Sequence, residues 1–153
     1  DPHLTKELNG TEVKYWLRNQ NYLIYLSVGS YSIRSDSFLV SDKHPFAVNI
    51  NENKLEYFNG NNNLFSLKVL SKRFCSVDIL NWEQNSMIWK ETCMSAKDNI
   101  YHEIHNLKPN EGYRLFINNK PIKKYISNLK GMISFDYPAG ENVLKIQRVH
   151  TKG

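Results

Sequence analysis

Two histidines three positions apart, His102 and His105, are the residues that first invite a metal or catalytic interpretation. The zincin pattern requires two histidines four apart on a helix with an intervening glutamate, and this sequence lacks it. If residues 102–105 form a β-strand, side chains three positions apart point to opposite faces. The two imidazoles are therefore expected to diverge as surface histidines near a strand end, and no metal site is predicted.

Carboxylates and tyrosines are numerous, but nothing in their spacing assigns them a catalytic role. A glycosidase pairs two carboxylates across the scissile bond, and the sequence gives no means of pairing any two of them. A lyase-type set of Tyr101, His105 and Arg34 can be assembled only by free choice. The nucleophile elbow, the phosphate loop and the dinucleotide fingerprint are all missing. A small polysaccharide-degrading enzyme is therefore a lesser alternative to a non-catalytic chain.

Aromatic side chains are better candidates for a functional role, and Trp82 is the foremost. It lies in a polar stretch, residues 81–86, that is expected to be a loop or a short helical turn. A sugar presents C–H groups that stack on an indole face, while neighbouring polar side chains form hydrogen bonds. Asn81, Glu83 and Gln84 would supply those bonds. The alternative is a tryptophan folded back over the edge of the fold.

The charge balance favours an anionic partner. The net charge is +5, and such a surplus attracts acidic polysaccharide, nucleic acid or an anionic surface. Short basic clusters occur at Lys72-Arg73 and at Lys120 with Lys123-Lys124. Arg34, Lys72, Arg73, Lys123 and Lys124 could pair with uronate or sulfate groups, although solvated surface charge is the alternative for each. The ring-bearing strand signature of RNA-binding sheets is missing, so nucleic acid is not the predicted partner.

The elements that must position these residues are β-strands. Apolar residues alternate with polar ones in short runs, as in residues 22–28, 46–50 and 64–70, and turn formers such as Asn118-Asn119 separate the runs. Strands at this spacing predict an all-β, antiparallel two-sheet β-sandwich, jelly-roll or immunoglobulin-like, with residues 1–153 as one domain. Trp16 and Trp89 fall in strand patterns and are expected in the core. No apolar run is long enough for a membrane span.

The C-terminal third is predicted to form a series of short strands joined by turns, which we call the C-terminal unit. A Leu-Lys-Pro turn leads into a strand at residues 113–117, a hairpin tip and a strand at 122–126. A strand at 132–135, a Pro-Ala-Gly turn and a last strand at 143–149 follow. This segment resembles the C-terminal β-sandwich accessory modules of bacterial polysaccharide lyases and glycoside hydrolases. Residues 31–38 are similar, more loosely, to the lead strands of such modules.

The resemblance implies an accessory, carbohydrate-binding position beside a catalytic domain of a larger carbohydrate-active protein. It implies a secreted, periplasmic or cell-surface location, and the opening residues suggest a segment excised from a longer chain or freed from a signal peptide. No cofactor is predicted, although modules of this type often hold a structural calcium ion. Oxygen ligands for such an ion could come from Asp36, Asp42, Asn51 and Asn53.

Two matters stay open at the level of sequence. Cys75 and Cys93 could form a disulfide in an exported protein or remain buried thiols in a reducing compartment. The same strands could also serve a protein-interaction or assembly sandwich, which would expose an apolar patch or an unprotected edge strand. The favoured function is a non-catalytic binding module for an acidic polysaccharide.

Overall fold

A computed structural model describes the backbone of residues 4–8, 11–18, 21–26, 31–44, 46–51, 53–59, 66–94 and 97–149. Side chains are described from residue 32 onward within these ranges, Ala47 excepted. The described residues form fifteen β-strands and no helix. The strands are β1 (Leu4–Leu8), β2 (Thr11–Arg18), β3 (Asn21–Leu26), β4 (Tyr31–Arg34), β5 (Phe38–Asp42), β6 (Phe46–Asn51), β7 (Lys54–Asn59), β8 (Ser66–Leu70), β9 (Cys75–Glu83), β10 (Ser86–Cys93), β11 (Asn99–His105), β12 (Gly112–Ile117), β13 (Lys120–Ile126), β14 (Ile133–Pro138) and β15 (Glu141–Arg148).

The strands form two sheets that pack as a sandwich, so the predicted all-β sandwich is confirmed. One sheet has eight strands in the order β1-β2-β3-β6-β7-β8-β11-β14, and the other has seven in the order β13-β12-β15-β10-β9-β5-β4. Neighbouring strands are antiparallel except for β5 and β9, which run parallel. The chain therefore crosses between the sheets repeatedly, most often in its second half.

The core lies between the sheets because apolar residues alternate toward it along most of the strands whose side chains are described. Aromatic rings dominate it. A series of neighbouring rings crosses the core with centroid separations of 4.6–6.3 Å. Its members, in order of contact, are Phe46, Tyr57, Trp82, Trp89, His102, Phe135 and Tyr125. Trp89 is buried as predicted, whereas the Trp16 side chain lies outside the described residues.

The C-terminal unit has the strand order that the sequence predicts, with boundaries within a few residues. Asn118 and Asn119 both have positive φ, 51° and 67°, which is the requirement of the tight turn that joins two twisted antiparallel strands. The turn fixes the register of β12 against β13. The last strand, β15, does not lie at an edge but between β12 and β10.

Cys75 and Cys93 form a disulfide, which resolves the question that the sequence leaves open. They lie directly opposite each other on β9 and β10, with their Cα atoms 4.2 Å apart. None of the described residues forms a helix long and apolar enough to cross a membrane.

Candidate functional site

Trp82 does not occupy a loop, so that sequence-based expectation is wrong. The polar stretch is the end of β9, a two-residue turn at Gln84 and Asn85, and the start of β10. Trp82 is only 9% exposed, and its ring meets Tyr57 edge-on at 5.2 Å and Trp89 at 5.6 Å. Its indole is part of the core and offers little face to a ligand.

A β-bulge explains why the alternating pattern misplaces Trp82. The register of β9 against β10 shifts so that Asn81 faces Ile88 while Ile79 faces Trp89, which leaves Leu80 unpaired. One extra residue reverses which side chains point inward beyond it. Trp82 therefore enters the core although the preceding alternation would place it outside.

The other predicted ligand-binding residues divide between the two ends of β9. Asn81 donates from Nδ2 to the Ser86 carbonyl at 3.1 Å, and Glu83 and Gln84 are exposed beside the β9–β10 turn. Lys72 and Arg73 are exposed in the loop before β9, some 26 Å away by the rise of a nine-residue strand.

Arg34 lies at that second end, with its guanidinium 5.7 Å from the centre of the Phe74 ring. The predicted residues consequently form two groups rather than one site.

The structure brings together a different set of residues on the outer side of the seven-stranded sheet. Arg114 of β12 lies directly opposite Lys124 of β13 on one side and Gln147 of β15 on the other. In the next outward-facing row, Phe116 of β12 lies opposite Lys145 of β15. We call these five residues, Arg114, Phe116, Lys124, Lys145 and Gln147, the cationic face.

The Phe116 ring of the cationic face lies under the ammonium group of Lys145. Lys145 Nζ lies 5.4 Å from the centre of the Phe116 ring, within the range of a cation–π contact. Phe116 is only half-buried, so part of its apolar surface stays accessible beside the ammonium group. The pair combines an apolar platform with a positive charge.

The charges of the cationic face are not neutralised locally. Like charges directly opposite each other on neighbouring strands are destabilising, and Arg114 faces Lys124 in that way. Among the described residues, Arg114, Lys124 and Lys145 have no carboxylate partner. By contrast, Lys90 on the same sheet pairs with Glu141 at 3.0 Å. The cationic face therefore has an uncompensated positive potential that an external anion would relieve.

Gly112 sets the position of one of these charges. A β-carbon added at Gly112 would lie 2.7 Å from Cε of Lys124, so the lysine side chain crosses directly over the glycine, and an alanine there would push its flexible end aside. The stem of Lys124 thereby covers Gly112, which is buried. The glycine helps to hold the ammonium group over β12 beside Arg114.

A second polar cluster lies on the outer side of the eight-stranded sheet, around Glu103 of β11. The Tyr101 hydroxyl donates to Glu103 Oε2 at 2.8 Å, and His105 Nε2 lies 2.7 Å from Oε1. Lys68 of β8 approaches the same oxygen at 3.7 Å. Partial burial acts to raise the pKa of Glu103, but the hydrogen bonds from Tyr101 and His105 and the charge of Lys68 outweigh it and lower that pKa. The hydrogen bond to Glu103 is the main reason why the pKa of Tyr101 is raised.

The two histidines of β11 do point to opposite faces, which confirms that part of the prediction. His105 is half-exposed beside Glu103, whereas His102 faces the core. The expectation that both are surface histidines is wrong for His102, because Glu91 supplies a buried partner. His102 Nε2 lies 2.8 Å and 3.0 Å from the two carboxylate oxygens of Glu91, and Trp89 Nε1 donates to the same carboxylate at 3.0 Å.

The residues suggested as calcium ligands belong to both sheets. Asp36 precedes β5 of the seven-stranded sheet and Asp42 is the last residue of that strand, whereas Asn51 and Asn53 lie at the β6–β7 hairpin of the other sheet. Asp42 is buried and accepts hydrogen bonds from the Tyr57 hydroxyl and from the backbone N–H of His44. Nothing in the described residues tests whether these four residues bind calcium.

No family model, no curated protein and no solved structure matches this chain. Its function must therefore be inferred from the chemistry of its own surface.

Proposed function

We propose that the chain is a non-catalytic binding module for an acidic polysaccharide, and that the cationic face is its binding surface. The observation that carries the proposal is the direct opposition of Arg114 and Lys124 on neighbouring strands with no carboxylate partner among the described residues. A sheet gains nothing in stability from such a pair. An anion that bridges the two side chains would offset their repulsion.

The shape and composition of the surface favour a polymer of sugars. The row that contains Lys124, Arg114 and Gln147 continues through Ser86 to Glu83, and five adjacent strands span about 19 Å. Hydrogen-bonding side chains and a partly exposed ring at Phe116 suit hydroxyl groups and C–H faces. The guanidinium of Arg114 is suited to bidentate contact with a uronate or a sulfate.

Two further features support the wider setting of this proposal. The disulfide between Cys75 and Cys93 is typical of oxidising compartments, which supports a secreted, periplasmic or cell-surface location. The turn-and-strand order of residues 104–146 resembles accessory modules of bacterial lyases and hydrolases, which supports a catalytic domain as the neighbour in a larger protein.

A second candidate function is protein assembly, because one edge exposes apolar side chains. Ile122, Ile126 and Leu129 are all largely exposed along β13 and the turn after it, and β13 is an edge strand. The same strand carries Pro121 and Lys123, and prolines and lysines discourage pairing between sheet edges. Polysaccharide binding is therefore the better-supported function.

The test is titration of the full chain with polyuronates and sulfated glycans, by calorimetry and affinity electrophoresis, with a neutral glucan as reference. The double variant R114E/K124E removes the opposed cations. Each charge-assisted hydrogen bond contributes about 1.5–3 kcal/mol, so losing two should weaken binding roughly 10²- to 10⁴-fold. Binding of wild type should also weaken as salt is raised.

The matched control is K72E/R73E, which changes the net charge equally at the other end of β9. It should bind like wild type, whereas G112A, which displaces the Lys124 side chain, should bind more weakly. Failure of the wild type to bind any acidic glycan would refute the proposal. Loss of binding in K72E/R73E together with unchanged binding in R114E/K124E would locate the site at the loop before β9 instead.

A further inference from the structure

The disulfide lies beside a buried carboxylate, and the three residues together have the composition of a metal site. Cys75 is the first residue of β9 and Cys93 the last of β10. Their backbone N–H groups point away from each other, toward Ser37 O and Gly140 O, so this is the narrow type of strand pair whose side chains lie closest. Both side chains face the core near one end of the sandwich.

Glu91 lies two residues before Cys93 on β10 and projects to the same side. Its Oε1 lies 3.8 Å from Cys93 Sγ, and the ligand atoms of Cys75, Glu91 and Cys93 all lie within 4.8 Å of one another. Glu91 is only 4% exposed. Three different strand positions thus present two sulfurs and a carboxylate to one buried point.

The spacing fits a tetrahedral thiophilic cation. With zinc–sulfur and zinc–oxygen bonds of about 2.3 and 2.0 Å, a tetrahedral site separates a sulfur from an oxygen ligand by about 3.5 Å, and two sulfurs by about 3.8 Å. The Cys93–Glu91 distance is already close to the first value. The separation of about 3.8 Å between two sulfur ligands would require only rotation of the two cysteine side chains. Directly opposed residues in a narrow pair have Cβ atoms about 4.5–5.5 Å apart, which places the two sulfurs within reach of one cation.

The surroundings of Glu91 resemble the supporting shell of a metal ligand. Trp89 Nε1 and His102 Nε2 hold its carboxylate at 3.0 Å and 2.8 Å, and outer partners of this kind orient metal ligands and tune their affinity. His102 is fully buried, and among the described residues its Nδ1 has no hydrogen-bond partner. The imidazole is therefore oriented by its contact with Glu91 through Nε2, in the manner of a supporting partner of a metal ligand.

We propose that the reduced chain binds one zinc-like divalent cation through Cys75, Cys93 and Glu91, and that the disulfide is the metal-free, oxidised form of the same site. A dithiol reductant donates two electrons and two protons to the disulfide and becomes a cyclic disulfide itself, which leaves two protein thiols. Zn²⁺ then displaces both thiol protons into solvent and is bound by the thiolates. In the oxidised form the sulfurs are bonded to each other and carry no charge, so they cannot bind the cation.

The test compares the full chain in its oxidised form with the chain reduced by a phosphine, which binds zinc less strongly than a dithiol would. Zn²⁺ is supplied in competition with a chromophoric chelator, and Cd²⁺ serves as a second probe because its thiolate bonds absorb in the ultraviolet. The reduced chain should bind one equivalent with a charge-transfer band, and the oxidised chain none. E91Q should weaken binding at least about tenfold, and C93S should abolish the band.

The matched control is E103Q, which alters a carboxylate–histidine pair of similar composition on the surface and should bind zinc like the reduced wild type. If reduction unfolds the chain, recovery of the near-ultraviolet circular dichroism on adding Zn²⁺ supports the proposal, and no recovery overturns it. Equal zinc binding by oxidised and reduced chains would also overturn it, as would unchanged affinity in E91Q.

Discussion

Replacing Glu91 by glutamine is expected to destabilise the oxidised protein strongly. The carboxylate accepts from Trp89 Nε1 and pairs with His102 in a site from which water is excluded. Glutamine keeps the size of the side chain, but only one of its two terminal atoms can accept a hydrogen bond, whereas both carboxylate oxygens of Glu91 can. Leaving a buried hydrogen-bonding group without its partner costs about 1–3 kcal/mol, so a loss of up to about 3 kcal/mol is expected.

The matched control is E141Q, the same substitution at an exposed ion pair. Glu141 lies 3.0 Å from Lys90 but is 68% exposed, and such surface pairs contribute about 0–1 kcal/mol. Urea unfolding followed by tryptophan fluorescence gives the free energies of unfolding of both variants. For a chain of this length, 3 kcal/mol corresponds to a fall in Tm of about 6–12 °C. A loss in E91Q of less than 1 kcal/mol, or one no larger than in E141Q, would refute the reasoning.

Two further substitutions test the fold. Gly131 has a φ of 74°, and an added β-carbon would lie 2.0 Å from the Leu107 carbonyl oxygen. G131A should therefore cost at least about 2 kcal/mol by urea unfolding, from left-handed strain of about 1–2 kcal/mol and a displaced hydrogen bond. At Gly140, which also has positive φ, an added β-carbon would meet only Asn142 Nδ2 at 4.0 Å. G140A should therefore cost the backbone strain of about 1–3 kcal/mol without a clash, and a G131A loss below that range would contradict the steric argument. The second substitution is E103Q. The folded-state pKa of Glu103 lies below its ordinary value of 4.5, so its contribution to stability is present above pH 4.5 and is lost as the pH falls through the folded pKa. E103Q should lose stability at neutral pH and show a shallower decline on acidification, and a parallel decline in the two proteins would exclude this role.

The sequence predicted the local elements well because their causes are local. Period-two alternation indicates a strand wherever one face is buried, and the Asn118-Asn119 pair indicates a turn that needs positive φ at two positions. These two signals were sufficient for the sandwich and for the order of strands in the C-terminal unit. They carry no information on which sheet a strand joins.

Apart from Lys124, the residues of the candidate site were missed because the site depends on pairing between strands. Arg114, Lys124 and Lys145 lie on three strands, and only the register brings them together. The basic cluster at residues 120–124 was the one local signal. The burial of Trp82 was not predicted because a β-bulge leaves no sign in the residues that precede it. The burial of His102 was not predicted because its partner, Glu91, lies on the opposite sheet.

The position of β15 has a consequence for how the protein is made. β15 comes after every other described strand in the chain, yet it lies between β12 and β10 and joins the β12–β13 hairpin to the rest of its sheet. During synthesis the edges of β12 and β10 that pair with β15 have no neighbouring strand until the residues of β15 leave the ribosome. Until then the β12–β13 hairpin is not joined to the rest of its sheet. Completion of the seven-stranded sheet, and with it the assembly of Arg114, Lys124 and Lys145 into one surface, therefore comes after the synthesis of all the other described strands.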